Sequence, residues 1–318
     1  MSTLLRIGHR RSSPYLSQDA IPDLMAGILL AQQFGKDWYV NSSASSGGDG
    51  GTPDSAVTTL QAAIDKAGAG DRIWVAPGHA ETVTATSIDV NQASITIICL
   101  GNGLNAATFT YSTAAATITV SAANVTWIGG YHLGNFLDVA SAFTIGAAKD
   151  FRLEGGLFVS STASLNFLSI VTTGSTANAA DGLAVVGNSY WNLNTSPLAF
   201  VSVLGNLDRL VVTDNFVNSA STADVGHFIT IAALVLRAAR IQRNTLNVVG
   251  VTSAAVGIFL TGSSTTNTGI VSDNRIASLD TTGELIATAG TGLVFFDNYY
   301  TGVADKSGYI VPAIDSAA

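Results

Sequence analysis

The sequence predicts an all-β fold, a single-stranded parallel β-helix with an N-terminal arm and a short capping helix. The main observation is a run of apolar residues ending in Asn or Gly, which recurs eight times. The runs end at Asn102, Gly130, Gly156, Asn188, Asn215, Asn244, Asn274 and Asn298. Successive ends are 28, 26, 32, 27, 29, 30 and 24 residues apart, a period typical of stacked repeats. A β-sandwich or barrel is disfavoured because its turns recur every 8–12 residues or so, with no corner at a fixed phase.

The choice of Asn and Gly at the end of each run predicts the shape of a rung. Both residues enter the left-handed backbone region at low cost. We therefore expect a strand, a sharp left-handed corner at the Asn or Gly, and a second short strand such as Phe216-Val217 or Arg275-Ile276. Stacked strands lie about 4.8 Å apart, so the corner asparagines of successive rungs are expected to hydrogen-bond in a ladder.

Residues 1–36 lack the strand pattern and are predicted to form an arm. Within the arm, helical spacing places four apolar residues on one face of a short predicted helix: Ile21, Leu24, Met25 and Ile28. A helix this short does not bury its apolar stripe alone, so we expect the arm to dock on another surface. Two surfaces remain open: the end of the chain's own β-helix, or a neighbouring subunit or larger assembly.

The β-helical domain is predicted to span residues 37–318 and to begin with a cap. Thr58–Ala67 places apolar residues on one helical face and is followed by Gly68-Ala69-Gly70, a helix stop. The strand Arg72–Ala76 comes next, so the helix precedes the first rung and protects its core and its strand edge. Rungs are expected over about 71–300 and a C-terminal cap over 301–318.

Composition excludes several classes of protein. Only 11% of the 318 residues are charged, against about 25% in a typical soluble domain, and the net charge is −8. A nucleic-acid partner is not expected, since binding to phosphate depends on clustered Lys and Arg. We expect no membrane span, because the longest apolar stretch near the start, Leu24–Ala31, is too short to cross a bilayer. We expect no signal peptide, because Pro and Asp residues interrupt the segment before it. The single cysteine, Cys99, lies in a predicted strand, Ile95–Leu100, as a buried small hydrophobe.

Several motifs carry a resemblance to known proteins. The opening resembles right-handed parallel β-helix proteins of the pectin-lyase-like superfamily at Trp38–Asn41, the Gly-rich loop that follows, Thr59–Ile64, Gly70–Val75 and Pro77–Thr82. More narrowly, a group encoded by tailed bacteriophages, often near the capsid genes, is similar at Pro77–Val83, Leu100–Gly103, Asn178–Gly182 and Phe296–Gly302. The resemblance covers about residues 37–318 and implies a virion-associated β-helix, but it supplies no activity.

Enzymes on this scaffold suggest what a catalytic site would need. Lyases use carboxylates that hold Ca²⁺ beside a base, and hydrolases use paired carboxylates about 5–9 Å apart. The best match is the residue before the corner in four consecutive rungs: Asp214, Arg243, Asp273 and Asp297. Stacking is expected to bring Asp273 and Asp297 together, with Arg243 on the other side of Asp273. Asp before Asn is also common in turns, and stacked Asp, Arg and Asp side chains neutralise one another's charge. These structural roles explain the same residues, and we favour this interpretation.

Other polar residues give weaker signals. His79 and Glu81 flank the exit of the first rung, where polar side chains often satisfy backbone groups of a cap. His132 and His227 have no matching Cys, Asp or Glu nearby in sequence, so we expect no metal. We identify no catalytic residue set and no cofactor motif.

Two aromatic pairs follow corner asparagines, Tyr190-Trp191 and Tyr299-Tyr300. They suit a carbohydrate-stacking platform outside the helix, the core, or a contact between subunits, and the sequence leaves all three open.

These observations predict a non-enzymatic virion structural protein that decorates or cements a capsid through its arm. The expected partners are the major capsid protein or another virion protein and further copies of the chain, as a trimer by analogy. The expected location is the capsid surface, after assembly in the host cytoplasm. The alternative is a small tailspike, a polysaccharide lyase or glycoside hydrolase, or an adhesin that binds a host glycan.

Overall fold

The computed structural model describes residues 35–193, 198–219, 227–231, 235–248, 258–260, 267–278, 286–288, 292–301 and 308–309. It confirms the predicted all-β parallel β-helix: the chain passes repeatedly through three parallel sheets, A, B and C, in that order. Among the described residues, no helix is long and apolar enough to cross a membrane. The predicted arm lies almost entirely outside these ranges, as does most of the predicted C-terminal cap.

Sheet A holds the first strand of each rung, which ends at the corner. Within the described ranges its strands are Asp37–Val40, Arg72–Val75, Thr96–Cys99, Thr126–Ile128, Arg152–Glu154, Ala184–Val186, Val211–Thr213, Ala239–Gln242, Gly269–Ser272 and Leu293–Phe296. Cys99 is half-buried at the edge of the core, and not fully buried as its strand pattern predicts.

Sheet B follows the corner. Its described strands are Ala80–Val83, Thr108–Tyr111, Tyr131–Gly134, Leu157–Ser160, Ser189–Asn192, Phe216–Ser219, Thr245–Val248, Arg275–Ser278, Tyr299–Thr301 and Gly308–Tyr309, of which the last pairs antiparallel.

Sheet C closes each rung. Its described strands are Ile88–Val90, Ile118–Val120, Phe143–Ile145, Ser169–Thr173, Ala199–Val203, His227–Ile231, Ile258–Leu260 and Ile286–Thr288. Two short strands outside the three sheets, Leu207–Asp208 and Leu236–Arg237, pair with each other.

The core is a set of columns that run along the helix axis. In-register pairing places one inward residue of each strand above that of the previous rung, as with Trp127, Leu153 and Val185 in sheet A, which are all fully buried. Complete burial of a side chain of this size stabilises the fold by roughly 1.5–3 kcal/mol. In strands such as Ile88–Val90 and Phe143–Ile145 the residue between two buried ones is more exposed, as expected from strand alternation.

The predicted capping helix is present but shorter than Thr58–Ala67. Helix α1 spans Leu60–Ile64 and follows Thr59, whose side-chain oxygen accepts a hydrogen bond from the backbone N–H of Ala62 at 3.3 Å. Its buried residues are Leu60, Ala63 and Ile64, which lie on the predicted apolar face. The helix packs against the first strands of sheets A and C and covers the end of the core.

The predicted left-handed corners are displaced by one residue. Positive φ occurs at the residue before the corner: Gly101, Gly129, Gly155, Gly187, Asp214, Arg243, Asp273 and Asp297, with φ between 50° and 88°. The assignment of this conformation to Asn102, Gly156, Asn188, Asn215, Asn244, Asn274 and Asn298 is therefore wrong, and Gly130 alone of the eight shares it, with φ 93°. The left-handed residue turns the chain from sheet A into sheet B, and the side chain that follows it is buried in five of the rungs.

That inward position lets five corner asparagines bond in a row. The Nδ2 atom of each donates to Oδ1 of the next at 2.8–3.1 Å, through Asn188, Asn215, Asn244, Asn274 and Asn298. All five are at most 2% exposed. The row ends at Gly156, whose N–H donates to Asn188 Oδ1 at 2.8 Å. Asn102 is exposed and lies before the short 3₁₀ turn Gly103–Asn105, outside this row.

Candidate functional site

The residues before the corners lie on an exposed edge between sheets A and B. Arg243 donates from Nε and Nη2 to the two carboxylate oxygens of Asp214, both at 2.7 Å. This bidentate pair lowers the pKa of the Asp214 carboxyl and raises that of the guanidinium. Asp214 is therefore ionised near neutral pH and is a poor general acid.

Asp273 and Asp297, the alternative catalytic candidates, lie on adjacent rungs. Arg243 forms its ion pair with Asp214, one rung earlier, and not with Asp273. Asp273 accepts a hydrogen bond from the hydroxyl of its neighbour Ser272 at 2.7 Å, and both aspartates are exposed. Since each occupies a left-handed corner position, turn geometry accounts for both residues.

His79 and Glu81 do come together, in the interior of the cap. His79 Nδ1 accepts the backbone N–H of Ser42 at 2.9 Å, which leaves Nε2 to donate to Glu81 Oε2 at 3.0 Å. The same carboxylate oxygen accepts the N–H of Leu60, the first residue of helix α1, at 2.8 Å. His79 is fully buried, so this chain of hydrogen bonds ties the first rung to the capping helix and is closed to a substrate.

His132 lies in the core of sheet B. Its ring stacks between Phe109 and Phe158, with centroid distances of 5.3 and 4.6 Å, and Nδ1 lies 3.2 Å from the hydroxyl of Tyr111. Burial lowers the pKa of His132 to about 3, so the ring is neutral. The side chain of His227 lies outside the described residues. Across the described part of the chain, no three His, Cys, Asp or Glu side chains are grouped to hold a metal ion.

The aromatic pair Tyr190-Trp191 is divided between the inside and the outside of the helix. Tyr190 is 2% exposed and donates its hydroxyl to the carbonyl of Phe167 at 3.1 Å, so it belongs to the core. Trp191 is 47% exposed on the outer face of sheet B, with its ring 5.5 Å from that of Phe216. Tyr299 is 41% exposed on the same face, and the side chain of Tyr300 lies outside the described residues.

Sequence reasoning missed the neighbours of Trp191 on this face. The in-register column through Trp191 continues with Asn218, Asn247 and Ala277, and the adjacent column carries Phe216 and Arg275. These are the first and third residues after each corner asparagine. Because side chains alternate between the two faces of a strand, counting from each corner asparagine identifies these outward-pointing residues.

The comparisons with known proteins add no family. No family model matches the chain, and no curated protein matches it. Two solved structures are similar over most of the chain. A rhamnogalacturonan lyase is 13% identical, with 87% of this chain and 90% of that chain covered and a TM-score of 0.35. The GH136 lacto-N-biosidase from Eubacterium ramulus is 8% identical, with 90% and 70% covered and a TM-score of 0.21.

Proposed function

We propose that this chain is a non-enzymatic structural protein of a tailed-phage particle, a rigid β-helix that decorates or cements the capsid. The observation that carries the non-enzymatic part is that local structure engages Arg243 and the His79–Glu81 pair. Arg243 is held by Asp214, and the His79–Glu81 pair is buried among backbone donors of the cap. A general acid or base has to reach its substrate with a suitable pKa, and neither pair meets both conditions.

The capsid role is supported by the sequence motifs similar to tailed-phage proteins and by the low fraction of charged residues. A parallel β-helix also suits a structural role, since every rung is hydrogen-bonded to the next and the fold is rigid along its axis. The proposed partner is the major capsid protein or another virion protein, and the proposed assembly is a homotrimer.

An activity assay tests the non-enzymatic part. The rival is a depolymerase that cleaves host-surface polysaccharide with Asp273, Asp297 and Arg243. Purified full-length protein is incubated with the envelope glycans of the host, and new reducing ends and unsaturated sugars are measured. We expect no release above that from a heat-denatured sample. Release that the Asp297→Asn variant abolishes contradicts the proposal.

A truncation tests the mode of attachment. Removal of residues 1–36 is expected to abolish binding to particles that lack the protein, while the circular dichroism spectrum of the β-helix is kept. The full-length chain is the positive control. Binding that survives the truncation contradicts attachment through the arm and assigns it to the β-helical body.

A further inference from the structure

The outer face of sheet B differs from the rest of the surface in its charge. The described residues that point outward there are Ala80, Thr82, Thr108, Thr110, Tyr131, Leu133, Leu157, Val159, Ser189, Trp191, Phe216, Asn218, Thr245, Asn247, Arg275, Ala277 and Tyr299. None of them is acidic, although the whole chain has a net charge of −8. A ligand with a negative charge therefore meets no repelling carboxylate among these side chains.

We refer to the outward-pointing residues of sheet B between Trp191 and Arg275 as the track. Trp191 supplies a flat apolar surface at one end of it. Nearly half of its surface is open to solvent, and the ring of Phe216 in the next rung packs against it with centroids 5.5 Å apart. A tryptophan supported in this way has limited freedom and an exposed aromatic face. The C–H face of a pyranose ring stacks on such a surface without loss of the hydrogen bonds around the ring edge.

A pair of amides lies beside the tryptophan in the same column. Asn247 Nδ2 donates to Asn218 Oδ1 at 2.7 Å, and Asn218 is directly in register with Trp191. This bond leaves Asn218 Nδ2 and Asn247 Oδ1 without a hydrogen-bond partner among the described residues. One donor and one acceptor, held by each other at a fixed spacing, are suited to the paired hydroxyls of a sugar.

Arg275 supplies a positive charge at the other end. The other described arginines are mostly ion-paired: Arg72, Arg152, Arg209, Arg237 and Arg243 each contact an acidic side chain. Arg275 is exposed and contacts no acidic side chain of the described residues. It lines a shallow depression of about 360 Å³ together with Thr245, Ala277 and Tyr299. A guanidinium in this setting is free to bind a carboxylate.

We propose that the outer face of sheet B, from Trp191 to Arg275, binds an extended acidic oligosaccharide. Trp191 stacks on one sugar, Asn218 and Asn247 bond to hydroxyls, and Arg275 pairs with a carboxylate. The two ends are three rungs apart, or about 14 Å at the usual spacing of stacked strands. Each sugar unit of an extended chain spans about the distance between two neighbouring rungs, so the track holds about three to four units. This site is independent of the structural role proposed above.

Calorimetric titration of the full-length chain tests the site. The probes are tetrasaccharides with uronate or sialate carboxylates, together with the same sugars after reduction of the carboxyl groups. The variants are Trp191→Ala and Arg275→Gln. Their controls are Phe296→Ala and Arg240→Gln, both on the outer face of sheet A. Phe296 is exposed, and Arg240 is an exposed arginine with no ion pair to another described residue. Circular dichroism verifies the fold of each variant, and Trp191→Phe is a milder second change.

The expected pattern separates the two contacts. Trp191→Ala weakens binding of acidic and reduced sugars alike by about tenfold, because stacking does not depend on the carboxylate. Arg275→Gln weakens only the acidic sugars, also by about tenfold, because a charge-assisted hydrogen bond is lost. Trp191→Phe keeps most of the affinity, and both controls bind like the wild type.

Three outcomes overturn the proposal. One is the absence of saturable binding to every acidic probe. A second is an equal effect of Arg275→Gln and Arg240→Gln, which indicates non-specific charge attraction. The third is a self-association that Trp191→Ala abolishes in sedimentation experiments while no sugar binds, which assigns this face to contacts between copies of the chain.

Discussion

The side-chain amide of Asn244 donates to Asn274 Oδ1 across one rung, with the two atoms 2.9 Å apart. The same oxygen also accepts the backbone N–H of Asn244 at 3.1 Å, and Asn244 Nδ2 also donates to the carbonyl of Val212 at 2.8 Å. Asn188, Asn215, Asn244 and Asn274 thus each bond to both neighbouring rungs. Because the residues are buried, water does not replace these bonds when one of them is removed.

Replacement of Asn244 by Val is therefore expected to destabilise the protein strongly. The change removes the buried oxygen that accepts the backbone N–H and the side-chain amide of Asn215, and the amide that donates to the Val212 carbonyl and to Asn274. Each buried group left without a partner costs roughly 1–3 kcal/mol. We expect a loss of about 3 kcal/mol or more in the free energy of unfolding, measured by urea denaturation, and a similar loss for Asn215→Val. Asn247→Val on the outer face is the matched control and is expected to change stability little. Equal effects of Asn244→Val and Asn247→Val contradict a buried ladder.

The displaced left-handed position predicts where replacement of Gly strains the backbone. Gly187 has φ 63°, and a Cβ built there meets no heavy atom within 4 Å, so any cost comes from the backbone alone. Gly187→Ala is expected to lower the free energy of unfolding by about 1–2 kcal/mol, whereas Gly187→Asn costs less because Asn tolerates this conformation. Equal stabilities of the Ala and Asn variants in thermal melts speak against a left-handed residue at this position.

The Asp214–Arg243 pair is expected to contribute little to stability. Both side chains are about half exposed, with 44% and 55% of their surface accessible, and solvent screens an exposed pair strongly. The pKa of Asp214 is lowered in the folded state, so its contribution is present above the unfolded-state value of 3.8 and is lost as the pH falls through the lower folded-state pKa. Arg243→Gln should therefore match the wild type in strong acid and differ slightly at neutral pH. A loss of stability at pH 7 as large as that of Asn244→Val contradicts this minor role.

His132 is expected to make the fold sensitive to acid. Its pKa falls from 6.5 to about 3 on folding, so the unfolded chain binds a proton more readily between these values, and stability decreases as the pH falls through that range. Replacement by Phe keeps the stack with Phe109 and Phe158 but removes the titration. Between pH 7 and 4.5, urea denaturation should show a stability loss about 2 kcal/mol smaller for His132→Phe than for the wild type. Parallel pH profiles of the two proteins contradict this role of His132.

Sequence reasoning located the rungs but not every strand. The corner recurs because each rung turns from sheet A into sheet B at the same point, where an Asn or Gly follows the turn. The positions of the strands of sheets A and B could therefore be predicted from the corners. Sheet C was not, since the loops between the corner and its strands differ in length: Ile118 follows Asn102 by 16 residues and Ala199 follows Asn188 by 11. The left-handed position was missed by one residue because Asp and Arg occupy it in later rungs, where Gly is absent.

For the candidate site too, contacts between residues close in sequence were predictable, and contacts that depend on the stacking of rungs were not. The hydrogen bonds of His79 and Glu81 at the cap agree with the structural interpretation, because their place beside the first rung is local in sequence. The ion pair of Arg243 with Asp214 agrees with the favoured charge stack, but sequence does not fix which of the two neighbouring aspartates the long side chain contacts. The track from Trp191 to Arg275 joins residues about 84 positions apart, and only the stacking of rungs brings them together.

The structural role in a phage particle is tested most directly by quantitative mass spectrometry of purified virions, with the copy number of this chain measured against the major capsid protein. We expect a copy number comparable to that of the capsid protein, as a decoration or cement protein requires. A few copies per particle, the proportion typical of a tail component, or absence of the chain from purified virions contradicts this role.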